Sequence, residues 1–200
     1  MQVTITEEAV LRMPDMSNDE FFEFCEANSE YRIERDAKGR VSIMSGTGGR
    51  TGARNSEITF QLQAFARQHG GGKVFDSSTM FLLPSGAMRS PDAAWVALPK
   101  LLTLSETQRD RFLPVAPDFV IELMSPSDRL RDVQEKMAEW IASGCQLGWL
   151  LDPSTKTAYL YRPESQEAIQ EPASLRAEGI AEGILEGFVL DLASVWNPGW

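Results

Sequence analysis

The chain has 200 residues, 42% of them apolar and 24% charged, with no internal repeat or low-complexity tract. That is enough to bury one sizeable core, and the expectation is a single domain over residues 1–200 with its core over about 17–192. A formal net charge of −10 opposes broad attachment to phosphate backbones, which counts against a DNA-packaging or repressor role. It leaves room for an acidic pocket in which a divalent cation inverts the local charge. The segment Met1-Gln2-Val3-Thr4-Ile5 lacks the pattern of a secretory leader, and no stretch approaches the roughly 18 apolar residues of a membrane span, so a cytoplasmic location is expected. Cys25 and Cys145 have no metal-ligand spacing and read as free buried thiols on apolar helical faces. His69 is the sole histidine, which leaves zinc sites and histidine-based triads without a foundation.

In chain order, Ser17-Asn18-Asp19 reads as the cap of a first helix reaching Ala27, with Phe21, Phe22, Phe24 and Cys25 around its apolar face. Tyr31–Arg35 and Arg40–Met44 alternate around Asp36-Ala37-Lys38-Gly39 and predict a hairpin with a wet outer face. The glycine-rich stretch 45–52 lacks the Gly-Lys-Ser/Thr ending of a phosphate loop and reads as a hinge or substrate-contacting loop. A long helix follows, with the stripe Ile58, Leu62, Phe65 and Ala66. Lys73 to Leu83 reads as one strand bent at Asp76-Ser77-Ser78, Ala93 to Leu98 as the next, and Lys100 to Pro114 as a polar helical insertion. Phe119 to Met124 is a strand. It is followed by a helix with the stripe Leu130, Val133, Met137, Trp140 and Ile141, ended by Gly144, and then by strands at Leu147–Leu151 and Thr157–Tyr161. Gly187 to Leu192 reads as a short final strand, and Trp196 and Trp200 call for cover by the domain itself or by a partner subunit, a homodimer being the form considered. The order is a mixed α/β pattern, a central mixed sheet flanked by helices.

Glu122 stands out, because Phe119-Val120-Ile121-Glu122-Leu123-Met124 otherwise reads as a strand buried on both faces. A carboxylate there requires a cation, a metal or a proton, unless it lies at a sheet edge where water or a salt bridge serves. Asp92 opens the preceding apolar strand after Pro91, and as a lateral neighbour of Glu122 it could share one ion. Asp118 is a decoy: four residues along one strand separate it from Glu122 by about 13 Å. Lys136 borders the apolar stripe of the following helix and can lay its stem on the core and send its ammonium to the sheet edge. The alternative is a surface pair with Asp132. Two acids, a backbone carbonyl such as that of Leu123 and a lysine are the groups that metal-assisted phosphodiester hydrolysis needs. Arg50, Arg54, Arg67, Lys73, Arg89, Arg129 and Arg131 are the candidate basic residues for docking nucleic acid, with a solvated face as the alternative for most of them.

The blocks Ser90-Pro91-Asp92-Ala93-Ala94-Trp95-Val96, Pro117 to Ser127, Asp132 to Met137 and Gly144 to Pro153 resemble the Uma2 family of restriction-endonuclease-like proteins. The resemblance runs from about Ser17 to Leu192. It implies the PD-(D/E)XK nuclease fold with Asp92 and Glu122 as metal-binding acids, and a helix lysine matching Lys136 in place of the usual strand lysine, where Met124 stands here. It further matches Glu34 to a family glutamate in the first hairpin, while Glu57 could serve as the third acid that the wider fold draws from its long helix. The family's frequent helix histidine corresponds to Asn55, and its Asp-Gly-Glu after the hairpin glutamate is replaced by Asp36-Ala37-Lys38-Gly39-Arg40. The resulting expectation is an endonuclease that hydrolyses DNA phosphodiesters with Mg2+ or Mn2+, using Asp92, Glu122, Lys136 and Glu34 or Glu57. The competing expectation is a non-catalytic interaction or nucleic-acid-binding protein that keeps the fold without turnover.

Overall fold

The structure is a computed structural model that describes residues 10–12, 16–44, 46–178 and 185–200. The leader reading of residues 1–5 and the first residue of the glycine-rich stretch, Ser45, lie outside the described residues. In chain order the elements are β1 (Val10–Arg12), α1 (Asn18–Ala27), β2 (Arg32–Arg35), β3 (Arg40–Met44), α2 (Gly49–His69), β4 (Gly72–Asp76), β5 (Phe81–Leu82), β6 (Met88–Arg89) and β7 (Ala93–Ala97). There follow α3 (Leu98–Leu102), α4 (Glu106–Arg109), β8 (Phe119–Leu123), α5 (Leu130–Ala142), β9 (Leu147–Asp152), β10 (Thr157–Arg162), β11 (Ser165–Gln170), β12 (Ser174–Arg176), β13 (Val189–Asp191) and α6 (Ala193–Trp196). Among the described residues no helix is long and apolar enough to cross a membrane.

The central sheet has six strands in the order β11-β10-β9-β8-β7-β4. Only β8 and β9 run parallel in it, joined by the crossover helix α5, and the other pairs are antiparallel. Strand alternation decides which helix each side chain meets. Phe119, Ile121 and Leu123 of β8 pack into one apolar core with Ile58, Leu62 and Ala66 of α2. Val120 points the other way, to a second core with Met137 and Trp140 of α5. Glu122 therefore shares the α5 side of the sheet with Val120. A second sheet, β1-β3-β2-β6-β5, packs its own apolar cluster of Phe21, Ile33, Val41, Met80 and Met88 under α1. Helix α1 begins as its sequence dictates: Ser17 and Glu20 form a reciprocal capping box.

Several expectations change. The segment predicted as one bent strand is two strands in different sheets, β4 in the six-stranded sheet and β5 in the five-stranded one. Asp76 makes the break, since its Oδ1 accepts hydrogen bonds from the Ser78 amide and hydroxyl and closes a turn there. Much of the glycine-rich stretch is helix rather than hinge: α2 starts at Gly49, and a Cβ there would sit 3.1 Å from the Trp200 ring, so the small residue admits the C-terminal tryptophan. Trp196 is covered by the chain itself and donates its indole N–H to the Pro172 carbonyl at 2.8 Å, while Trp200 stays 68% exposed. Cys145 is buried but lies between α5 and β9, not on a helix, and Cys25 on α1 is only half-buried; both thiols are free. The hairpin's outer face is not wet throughout, because β6 pairs with β2 and Glu34 is buried.

Candidate active site

Continuing the antiparallel β7–β8 register, in which Ala93 faces Ile121, by one residue sets Asp92 opposite Glu122. This is the lateral relation that a shared ion needs. Asp92 is held at the strand mouth by three elements: its Oδ2 accepts the Leu123 amide at 2.8 Å, and its Oδ1 faces Asn55 Nδ2 of α2 at 3.2 Å and Arg32 Nη1 of β2 at 3.5 Å. Glu122 is 4% exposed, and its Oε1 accepts the Trp140 indole N–H at 2.8 Å and lies 2.9 Å from Lys136 Nζ. Lys136 also donates to Glu34 Oε1 at 3.0 Å and to the Ser90 carbonyl at 2.9 Å. It is thus turned into the sheet, away from the surface pairing with Asp132 that was its alternative.

Glu34 is surrounded by donors. Besides Lys136, the Ser90 amide reaches its Oε1 at 3.2 Å and Arg89 Nη1 reaches its Oε2 at 3.2 Å. Burial opposes its ionisation, but Lys136, Arg89 and Arg32 outweigh burial and hold the carboxyl below its ordinary value. Arg89 in turn is bound by Glu139 of α5, whose other oxygen accepts the Ala37 amide at the hairpin turn. Arg89, a candidate for docking nucleic acid, is therefore buried inside this ionic network. Lys136, Glu139 and Trp140 fall three and four residues apart, so one face of α5 delivers all three groups.

Glu122 is different. Burial pushes it up to about 7; Lys136 and Arg32 pull it down, and Asp92 and Glu34 add to the rise. Among the described residues four carboxylates, Glu34, Asp92, Glu122 and Glu139, face three cations, Arg32, Arg89 and Lys136, in the connected set. The centre is short of positive charge, and the shortage falls on Glu122. Its donors are hard oxygens on two neighbouring strands, a set suited to magnesium or manganese. Among the described residues no group of three His, Cys, Asp or Glu side chains is placed to hold a metal ion, so a cation here would rest on two carboxylates, a backbone carbonyl and water.

Two expectations separate here. Asp118 points elsewhere: its carboxylate accepts the Ala97 amide at 2.8 Å and pairs with Lys100 at 2.7 Å, tying β7, β8 and α3 together. Glu57 does not join the cluster; its Oε1 accepts from Gln61, which bonds the backbone of Asp191. Asn55 is the α2 residue that reaches Asp92, and two residues of helix, about 200°, turn Glu57 to the other side. Trp140 and Asn55 were not singled out as polar partners by sequence. Trp140 sits in an apolar stripe that conceals its N–H, and Asn55 carries no signal beyond standing where the family places a histidine.

An acid at the mouth of β7, its neighbour on β8 and a lysine of α5 meet on a mixed α/β sheet, the arrangement expected of a restriction-endonuclease-like protein. The family model described as "Uma2: Putative restriction endonuclease" matches residues 18–193, so the chain belongs to the Uma2 family. Its fold is similar to the crystal structure of a protein from Anabaena variabilis described as a "putative nuclease belonging to DUF820". The two share 21% identity, the match covers 91% of this chain and 98% of that chain, and the TM-score is 0.73. No curated protein matches the chain.

Proposed function

We propose that the protein is an endonuclease that hydrolyses DNA phosphodiester bonds with Mg2+ or Mn2+. The observation that carries the reading is the shared ammonium of Lys136, 2.9 Å from Glu122 and 3.0 Å from Glu34, beside the opposed pair Asp92 and Glu122. Asp92, Glu122 and the Leu123 carbonyl would hold the ion, which when bound supplies positive charge to the phosphate and lowers the pKa of a coordinated water. The protein's own groups do the rest. The Trp140 N–H and the Leu123 amide fix the two carboxylates, and Glu34 holds Lys136 where its charge can orient the attacking water or offset charge on the pentavalent phosphorus.

The test is incubation of supercoiled, linear duplex and single-stranded DNA with the protein in magnesium, manganese or EDTA. Cleavage is expected with either metal and not in EDTA, and Glu122→Gln, which keeps the shape but not the charge, is expected to abolish it with the fold intact. Cleavage by Glu122→Gln at the parent rate would leave Glu122 a structural residue. A second reading, a nuclease fold that binds without turnover, is favoured by the net charge of −10 and by the cationic side chains already lying on Glu34 and Glu122. Metal-independent DNA binding with no cleavage in either metal would select it.

A further inference from the structure

Arg32 does not fit the role of a structural cation. Lys136 and Arg89 are 14% and 13% exposed in their side chains, but that of Arg32 is 30% exposed, which puts it at the mouth of the centre. Its guanidinium carries five N–H donors, and they are poorly used. Nη2 is anchored on the Ser90 carbonyl, Nη1 reaches Asp92 Oδ1 only at 3.5 Å, the approach of Nη2 to Glu34 is 3.6 Å, and Nε is buried with no hydrogen-bond partner. An arginine placed only to neutralise Asp92 would be expected to engage it in a short two-pronged pair, as charge-assisted arginine–carboxylate bonds do. Here one limb is fixed and the others are under-satisfied, beside the carboxylate that a cation would occupy.

We infer that Arg32 is the residue that grips the phosphate of the nucleic-acid backbone, resting against Asp92 until a divalent cation takes its place there. The inference rests on the nuclease reading and adds its substrate contact. A planar guanidinium matches two phosphate oxygens at once, and the Ser90 carbonyl holds it in orientation while Nη1 turns from Asp92 to the phosphate. Position also favours it: Arg32 lies on β2, whereas Asp92 and Glu122 belong to the six-stranded sheet, so the phosphate would be gripped from the second sheet across the acid pair.

The inference makes two measurements move in opposite directions. Manganese binding is measured by calorimetry on the DNA-free protein, and binding of a short labelled DNA duplex by anisotropy in saturating calcium, with duplex integrity checked on a gel. In Arg32→Gln the competitor on Asp92 is gone, so manganese should bind about threefold tighter or more. The same variant should bind the duplex about tenfold more weakly, having lost a charge-assisted contact. Arg32→Lys keeps the charge but not the fork, so manganese affinity should stay near the parent's while duplex affinity falls. If Arg32→Gln weakens both, and Arg32→Lys restores both, Arg32 is structural and the inference is overturned. Affinities unchanged in Arg32→Gln, beside a parent that binds manganese and cleaves DNA, overturn the inference alone. A parent that binds no manganese and cleaves nothing removes the nuclease reading and the inference with it.

Discussion

Ionising Glu122 against burial and two neighbouring acids costs the fold free energy. Its value of about 7 in the folded protein stands above the ordinary 4.5, so the fold favours the protonated form. Stability should then fall as pH rises from about 4.5 to about 7, by on the order of 3 kcal/mol, and stay low above that. Glu34 works in the opposite sense: held below 4.5, it stabilises at neutral pH and loses that contribution as pH drops through its folded value. In EDTA, Glu122→Gln should therefore gain urea resistance relative to the parent on going from about pH 5 to about pH 8. An identical difference at both pH values would show that Glu122 is not the group that carries this cost. Lys136→Ala is expected to lower turnover more than DNA binding, because a charge used chiefly in the transition state acts on rate. Equal turnover in the variant and the parent would leave the lysine as no more than a counter-ion for Glu34. Glu122 and Lys136 were legible from periods of two and 3.6 residues, and Asp92 from Pro91 at a strand mouth, while the register that sets Asp92 beside Glu122 is a matter of strand pairing. The burial of Glu34 was not legible, since it depends on β6 lying beside β2 and on α5 sending Lys136 and Glu139 across some hundred residues of chain.

Strands were legible in the sequence where one face had to be apolar and illegible where pairing is by backbone alone. The β8, β9 and β10 segments are rich in buried apolar side chains, whereas β11 is Ser-Gln-Glu-Ala-Ile-Gln with nearly every residue exposed, an edge strand that no hydrophobic pattern announces. Close approach of backbones is likewise visible only in three dimensions. A Cβ on Gly72 would meet the Trp95 ring at 2.3 Å and the Val96 carbonyl oxygen at 2.4 Å, and the latter is backbone and cannot rotate away. On Gly148 it would meet the end of Met137 at 2.4 Å, a flexible side chain that can re-pack. Gly72→Ala is accordingly expected to destabilise by about 1–3 kcal/mol and Gly148→Ala by less, in denaturant titrations. Gly72 lies on edge strand β4, separated from Glu122 by β7, so the folded fraction of Gly72→Ala should keep its manganese affinity. A weaker manganese affinity per folded molecule would mean that the edge strand and the centre move together.

The two sheets meet at the charged centre. Glu34, Arg32 and Arg89 come from the five-stranded sheet, Asp92 and Glu122 from the mouth of β7 and from β8 in the six-stranded sheet, and Lys136 and Glu139 from the helix that crosses between β8 and β9. Because the molecule carries a net charge of −10, its long-range field repels DNA, and attraction has to arise locally. Of the basic residues expected to dock nucleic acid, Arg89 is sequestered in the network, Arg54 Nε donates to the Val195 carbonyl, and Arg131 pairs with Glu135. With the net charge of −10 opposing a broad phosphate-binding face, few phosphates should be neutralised by side chains, which has a measurable consequence. The affinity for duplex DNA should depend only weakly on monovalent salt, with a slope of log K against log salt shallower than about −3, in contrast to proteins that neutralise six to ten phosphates. It should also depend strongly on divalent cation, since an ion at Asp92 and Glu122 would supply the positive charge that the surface as a whole lacks. A steep monovalent slope with no divalent requirement would mean that DNA is held on a basic face away from the acids. In that case the fold would serve as a binding platform, and the centre would be an ionic tie between its two sheets.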